Sequence, residues 1–152
     1  MEKEEWKPIE GYEGLYEVSS FGRVRSVSHI ITIRHPRNPK YTLEYMTKGK
    51  IKDLRHHQAG YWMVDLYKNN IQKSFVVHRL VAKSFIPNPN NLTCVNHIDE
   101  NKENNHVSNL EWITRLDNFK YGTALSRMGK AHWTPVIQMT LDGRDIKRWD
   151  CM

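Results

Sequence analysis

The sequence predicts an α+β fold, a small antiparallel β-rich N-terminal module followed by a unit that mixes strands and helices. Three observations lead there. Short runs with period-two alternation, broken by Ser and Gly, fill the first stretch, and a longer alternating pattern resumes after Gly60. Val77, Leu80, Val81 and Phe85 then recur at helical spacing. A length of 152 residues has room for one or two small domains. The expected divisions are 1–55 for the β-rich module, 56–125 for the mixed unit and 126–152 for a C-terminal tail with a short hairpin.

Taken in order, YEV at Tyr16 and RVRSV at Arg23 flank Ser19, Ser20 and Gly22 and read as two short antiparallel strands. Ser28 to Lys50 holds Pro36, Pro39 and Gly49 among many basic residues without sustained periodicity, so a long irregular loop with room for one short strand is expected. YWMVDLY and IQKSFVV flank Lys68, Asn69 and Asn70, a hairpin signal because Asn tolerates the positive φ such turns need. The helix that follows should bury one face and stop at Ile86, because Pro87 disfavours helical geometry in the residue before it. His78 and Arg79 at its start suit bracing of a neighbouring motif or contact with backbone phosphates.

Cys94 to Ile98 reads as a strand, with a loop through Val107 and a second strand from Leu110 to Ile113. The start of the next helix has two candidates, since Ser108 with Glu111 and Thr114 with Asp117 both fit a capping box. Trp112 and Ile113 favour a strand, and therefore the second. Near the C-terminus PVIQMT and RDIKRWD flank Leu141, Asp142 and Gly143, the signature of a hairpin turn.

A net charge of +6 and a pI of about 9.3 suit a polyanionic partner, although a solvated basic face has the same composition. No apolar run approaches the roughly 18 residues of a membrane span, and MEKEEWK lacks a signal-peptide pattern. A soluble protein of the intracellular, cytoplasmic compartment is expected. With Cys94 and Cys151 as the only cysteines, a disulfide framework and a four-cysteine zinc site are both excluded. Cys94, beside Val95, reads as a small buried hydrophobe.

The chemistry points to Val95–Asn118. Eight of the twelve Asn fall between Asn88 and Asn109, so a single Asn there signals only a turn, and a lone His is more often structural than catalytic. Order and spacing carry more. His97, Asn109 and Asn118 are separated by twelve and nine positions, with LEWIT between the last two.

These residues, with HRLVAKSFIPNP at His78–Pro89, VNHIDENKENN at Val95–Asn105 and NLEWIT at Asn109–Thr114, resemble the HNH family in its phage and intron-encoded homing endonuclease subgroup. WKPIEGYEGLYEVSSFGRVRS, from Trp6 to Ser26, is similar to the small module that commonly precedes this nuclease. The resemblance implies a ββα-metal (His-Me finger) core with Thr114 as N-cap, placing Asn118 in the first helical turn facing His97. It implies a site-directed endonuclease acting on double-stranded DNA, with His97 as general base and Asn109 holding the loop that orients it. Asn118 would bind a single Mg²⁺ or Mn²⁺ through its side-chain oxygen, a hard donor. Asn96 stands where some relatives carry Asp and is the second ligand candidate, whereas Asp99 and Asp117 are badly placed for primary ligation.

Phosphate-contacting candidates are Arg23, Arg25, Arg34, Arg37, Lys48, Lys50, Lys52 and Arg79. The first module suits a groove as a β-ribbon, and a monomer is the simpler expectation. The competing class is a catalytically weakened DNA-binding protein on the same scaffold, for which Asn96 speaks. RNA binding through Tyr61 and Trp62 is disfavoured by their core-like neighbours. In related homing enzymes the C-terminal hairpin leads into a helix-turn-helix, whereas this sequence ends at Met152.

Overall fold

The computed structural model describes residues 2–38, 40–123, 136–139 and 145–149, the last two as backbone. The chain divides after Ile113 into two compact units.

The first unit opens with an antiparallel three-stranded sheet of β1 (Trp6–Pro8), β2 (Tyr16–Ser19) and β3 (Val24–Ser26), in that order. The two expected strands are β2 and β3. The added β1 lies on the edge, where Pro8 disturbs no inner ladder. Ser19 Oγ closes the β2–β3 turn by accepting the Arg23 N–H at 2.9 Å, and Gly22 sits there at φ +80, a left-handed conformation that favours glycine.

Next comes a hairpin of β4 (Ile30–Arg34) and β5 (Thr42–Met46), paired from Ile30↔Met46 to Arg34↔Thr42. This corrects the expectation of an irregular loop over Ser28–Lys50. The missing signal has a physical reason: nearly every residue of both strands is exposed, so no buried face imposed alternation. Pro36 falls in the connection rather than in a strand, and His35 Nδ1 organises that turn by accepting the N–H groups of Arg37 and Asn38.

β6 (Arg55–His56), β7 (Trp62–Lys68) and β8 (Ile71–Val76) form a second antiparallel sheet. Asn69 at φ 53 and Asn70 at φ 61 make the two-residue turn between β7 and β8, as their sequence predicts. The chain passes directly from β8 into α1 (Val77–Phe85), which ends with Ile86 in extended geometry before Pro87. Then come β9 (Cys94–His97), a 3₁₀ turn at Val107–Asn109 and β10 (Leu110–Ile113), antiparallel to β9 with Leu110 opposite His97 and Glu111 opposite Asn96. Ser108 thus lies in the 3₁₀ turn, and β10 occupies the place a helix would need.

One core joins the two sheets, α1 and β10 of this first unit. Ile9, Tyr12, Val18 and Val24 from the opening stretch pack with Val64 and Leu66 of β7, with Val77, Leu80 and Val81 of α1, and with Leu110 of β10. Each fully buried Val or Leu of such a set contributes about 1.5–3 kcal/mol through removal from water. Trp112 ties β10 to the helix end, its Nε1–H donating to the Ile86 carbonyl at 3.1 Å. β4 and β5 add nothing to this core, since Ile30, Ile31, Ile33, Tyr45 and Met46 stay exposed. Cys94 is half-buried.

In the second unit Thr114 caps α2 (Arg115–Lys120), its Oγ1 accepting the Asp117 N–H at 3.1 Å. β11 (Val136–Met139) and β12 (Asp145–Trp149) pair antiparallel, while the expected turn at Asp142 and Gly143 lies outside the described residues. Among the described residues no helix is long and apolar enough to cross a membrane.

Candidate active site

His97 is the last residue of β9, and the pleat sends it inward beside its cross-strand partner Leu110. It is only 5% exposed. Immediately after it the chain reverses, with the Glu100 N–H returning to the His97 carbonyl at 3.0 Å and Glu100 itself at φ 59. A loop rich in Asn and Asp then leads back to β10.

That loop is held mainly by Asn109. Its Nδ2 donates to Asp99 Oδ1 at 2.8 Å and to the Asn104 carbonyl at 2.9 Å, its Oδ1 accepts the Asp99 N–H at 3.0 Å, and its carbonyl accepts the Ile98 N–H at 2.9 Å. One buried amide therefore fixes both ends and the middle of the loop. Asp99 also accepts from Asn104 Nδ2 and the Asn101 N–H, and these donors, Asn104 foremost, hold its carboxyl below the usual carboxylate range.

His97 Nε2 lies 3.2 Å from Asn105 Oδ1. Asn105 is the functional neighbour that sequence reading missed; the only trace was the Asn104–Asn105 doublet in a loop crowded with the same residue type. Two further rings close over the site. His78, on the inward face of α1, meets His97 edge to face with centroids 4.9 Å apart, and Tyr61 lies tilted 5.0 Å from His78 and stacked 6.1 Å from His97. Lys102 in turn lies 4.8 Å from the Tyr61 ring centroid. The bracing expected of His78 is what these contacts support.

Burial decides the charge of both imidazoles. Loss of water pushes the His97 pKa below its ordinary value, opposed by the bond to Asn105 and the charge of Asp99. The same desolvation, with smaller contributions from His97 and Arg79, takes His78 down to about 3. Two neutral rings can pack at this distance without repulsion.

The expected ligands are placed differently. Asn96 precedes His97 but faces the other side of the ladder with Glu111, to which its Nδ2 donates at 2.8 Å. That bond occupies the nitrogen, and among the described residues nothing donates to Oδ1. Asn118 lies in α2 of the second unit, where its N–H bonds the Thr114 carbonyl at 3.0 Å. The side-chain oxygen of each amide is a hard donor of the kind a small divalent cation takes.

Of the basic candidates, Arg23 pairs with Glu4 and Arg25 with Glu17 at 2.6 Å, and Arg25 also lies 4.2 Å from the Trp6 ring centroid. Arg79 donates to the Thr93 carbonyl at 3.0 Å. Arg34, Arg37, Lys48 and Lys50 are exposed on or beside the β4–β5 hairpin, and Lys52 is half-buried, 6.0 Å from the Tyr67 ring.

Comparison with known proteins finds two matching families. Residues 4–67 match the NUMOD4 motif and residues 75–120 match the HNH endonuclease family. An uncharacterized HNH endonuclease, L245, of Acanthamoeba polyphaga mimivirus is 52% identical over 59 residues, covering 39% of this chain and 18% of that protein. DNA endonuclease I-HmuI of Bacillus phage SP01 is 38% identical over 114 residues, covering 75% of this chain and 55% of its own. The chain thus spans less than two thirds of either curated relative. A solved structure described as DNA binding and cleavage by the HNH homing endonuclease I-HmuI superposes with a TM-score of 0.58 at 30% identity, over 96% of this chain and 78% of that one.

Proposed function

For a chain that belongs to the HNH homing endonuclease family, we propose the activity of a site-directed DNA endonuclease that hydrolyses one phosphodiester bond with His97 as general base. The observation that carries this reading is the state of His97: a buried imidazole, kept neutral by desolvation, at the end of a strand and beside a loop pinned by Asn109. A neutral ring can take a proton at physiological pH, and general-base catalysis suits a group already in that form.

In the proposed reaction His97 removes a proton from water, and the resulting hydroxide attacks phosphorus in line with the departing 3′ oxygen. The P–O3′ bond breaks and the departing 3′ oxygen takes a proton from solvent water, leaving a 5′ phosphate and a 3′ hydroxyl. Asn109 keeps the loop from relaxing and His97 from turning. HNH nucleases use a divalent metal ion, and Asn96 and Asn118 would hold a single Mg²⁺ or Mn²⁺ through their side-chain oxygens. When bound, that ion supplies stabilisation of the negative charge that builds on the phosphate oxygens.

The partner is double-stranded DNA, met by a monomer in the cytoplasm of a bacterial or phage-infected cell, with the exposed basic hairpin on the backbone. One such site cuts one strand at a time, so nicking is the primary event. The test is conversion of supercoiled plasmid to open circle with Mg²⁺ and with EDTA, for the wild type and His97→Ala. Asn96, where a carboxylate would bind metal more strongly, favours a second reading, a DNA-binding protein with weakened catalysis. Shifted mobility of the plasmid without nicking, at any Mg²⁺ or Mn²⁺ concentration, would select it.

A further inference from the structure

We propose that Asn105 is a positioning residue that fixes the tautomer of His97, and that the β2–β3 turn of the N-terminal sheet holds Asn105 in place. The proposal rests on the general-base reading above and asks which ring nitrogen takes the proton.

A neutral imidazole has one N–H and one lone pair, so whatever bonds one nitrogen determines the role of the other. Nε2 faces Asn105 Oδ1 at 3.2 Å. The orientation of that amide is itself determined, because its Nδ2 donates to the Glu103 carbonyl at 3.3 Å, leaving the oxygen toward the ring. An amide oxygen only accepts, so Nε2 carries the hydrogen. The lone pair then lies on Nδ1, for which no hydrogen-bond partner occurs among the described residues. Asn105 is 5% exposed, which keeps water from competing for the bond.

Asn105 is fixed from outside its own loop. A Cβ on Gly22 would lie 2.7 Å from Asn105 Cβ and 3.2 Å from its carbonyl oxygen, so only a residue without a side chain permits this approach. Just before Gly22 the same turn grips the loop twice more. The Ser20 carbonyl accepts the Val107 N–H at 2.8 Å, and the Phe21 ring packs 4.8 Å from that of His106. The turn of the first sheet and the loop after His97 are thus one packed assembly.

The experiment reads tautomer and rate separately on the full chain. Two-dimensional ¹⁵N NMR of labelled imidazoles is expected to show His97 as Nε2–H in the wild type. In Asn105→Leu, which keeps the volume and removes the acceptor, the Nδ1–H form should appear. Single-turnover cleavage should fall about 10- to 100-fold, the range for losing a partner that orients a functional histidine, with DNA affinity in Ca²⁺ unchanged. Asn105→Asp retains an acceptor and should keep both the Nε2–H signal and most of the rate. Where Asn105→Leu does not fold, Asn105→Ala is read on the same two measurements. Persistence of the Nε2–H form, or of the wild-type rate, in the variant lacking the acceptor overturns the proposal and leaves the general-base reading standing. Wild-type cleavage by His97→Ala removes that reading itself, and the positioning role with it.

Discussion

As the proposed base, His97 would have to combine a buried ring with access to a water molecule, and its neighbours would divide that task. Asn109 shapes the loop and His78 closes the inner side with a neutral ring. If His97 is the base, His97→Ala should leave the fold and DNA affinity in Ca²⁺ nearly unchanged while lowering single-turnover cleavage by about two to four orders of magnitude. Asn118→Ala should act differently, raising the Mg²⁺ concentration needed for half-maximal rate, whereas Asn118→Asp should retain activity through its own hard oxygen. A titration of rate against Mg²⁺ checks both; an unchanged midpoint in Asn118→Ala removes that residue from metal binding. His78 makes a prediction about acid. Its folded-state pKa of about 3 lies below the unfolded value near 6.5, so the unfolded chain binds the proton first. Its contribution to stability is therefore complete above pH 6.5 and declines as pH falls toward 3, at no more than about 1.4 kcal/mol per pH unit. Urea unfolding at pH 7 and pH 5 should show a smaller loss of stability for His78→Leu than for the wild type. The HNH-like order and spacing of His97, Asn109 and Asn118 was legible because it stands out from composition. Asn105 was not, because the choice of partner for Nε2 depends on how the loop folds, and seven other Asn crowd the stretch from Asn88 to Asn109.

At the scale of elements, what the sequence reveals follows burial. The β7–β8 hairpin could be read from Asn69–Asn70 because left-handed turn residues have few alternatives, and α1 could be read from its single buried face and Pro87. β4 and β5 could not, because a ribbon exposed on both faces leaves no alternation behind. Such a two-stranded hairpin is marginal in water unless something packs on it, and under the proposed function its basic residues would meet the DNA backbone. Neutralising Arg34, Arg37, Lys48 and Lys50 together should flatten the dependence of DNA affinity on salt, since fewer counterions are released. The rate at saturating DNA should not change. A mutant with the wild-type slope would show that the hairpin only extends into solvent.

At the scale of the molecule, the expected division near residue 55 cuts through a shared interior. Ile9, Tyr12, Val18 and Val24 cover the faces of β7 and α1 that carry Val64, Leu66, Val77 and Val81. Sequence patterns could mark a β-rich stretch and a mixed one but not the sharing, because a hydrophobic stripe records that a face is covered and not which segment covers it. A fragment of residues 56–125 should therefore lack a cooperative thermal transition and bind a hydrophobic dye, and adding residues 1–55 as a separate chain should restore part of both. A fragment that melts cooperatively by itself would overturn this.

The close approach of Gly22 to Asn105 bears on how such proteins can be recombined. Exchanging the first 55 residues for those of another member would bring in, along with new DNA contacts, a foreign clamp on the catalytic loop. Recipients of a mismatched graft should bind the new target and cut it slowly. Turnover would recover through second-site changes at 20–22 or 103–107, where the turn and the loop meet.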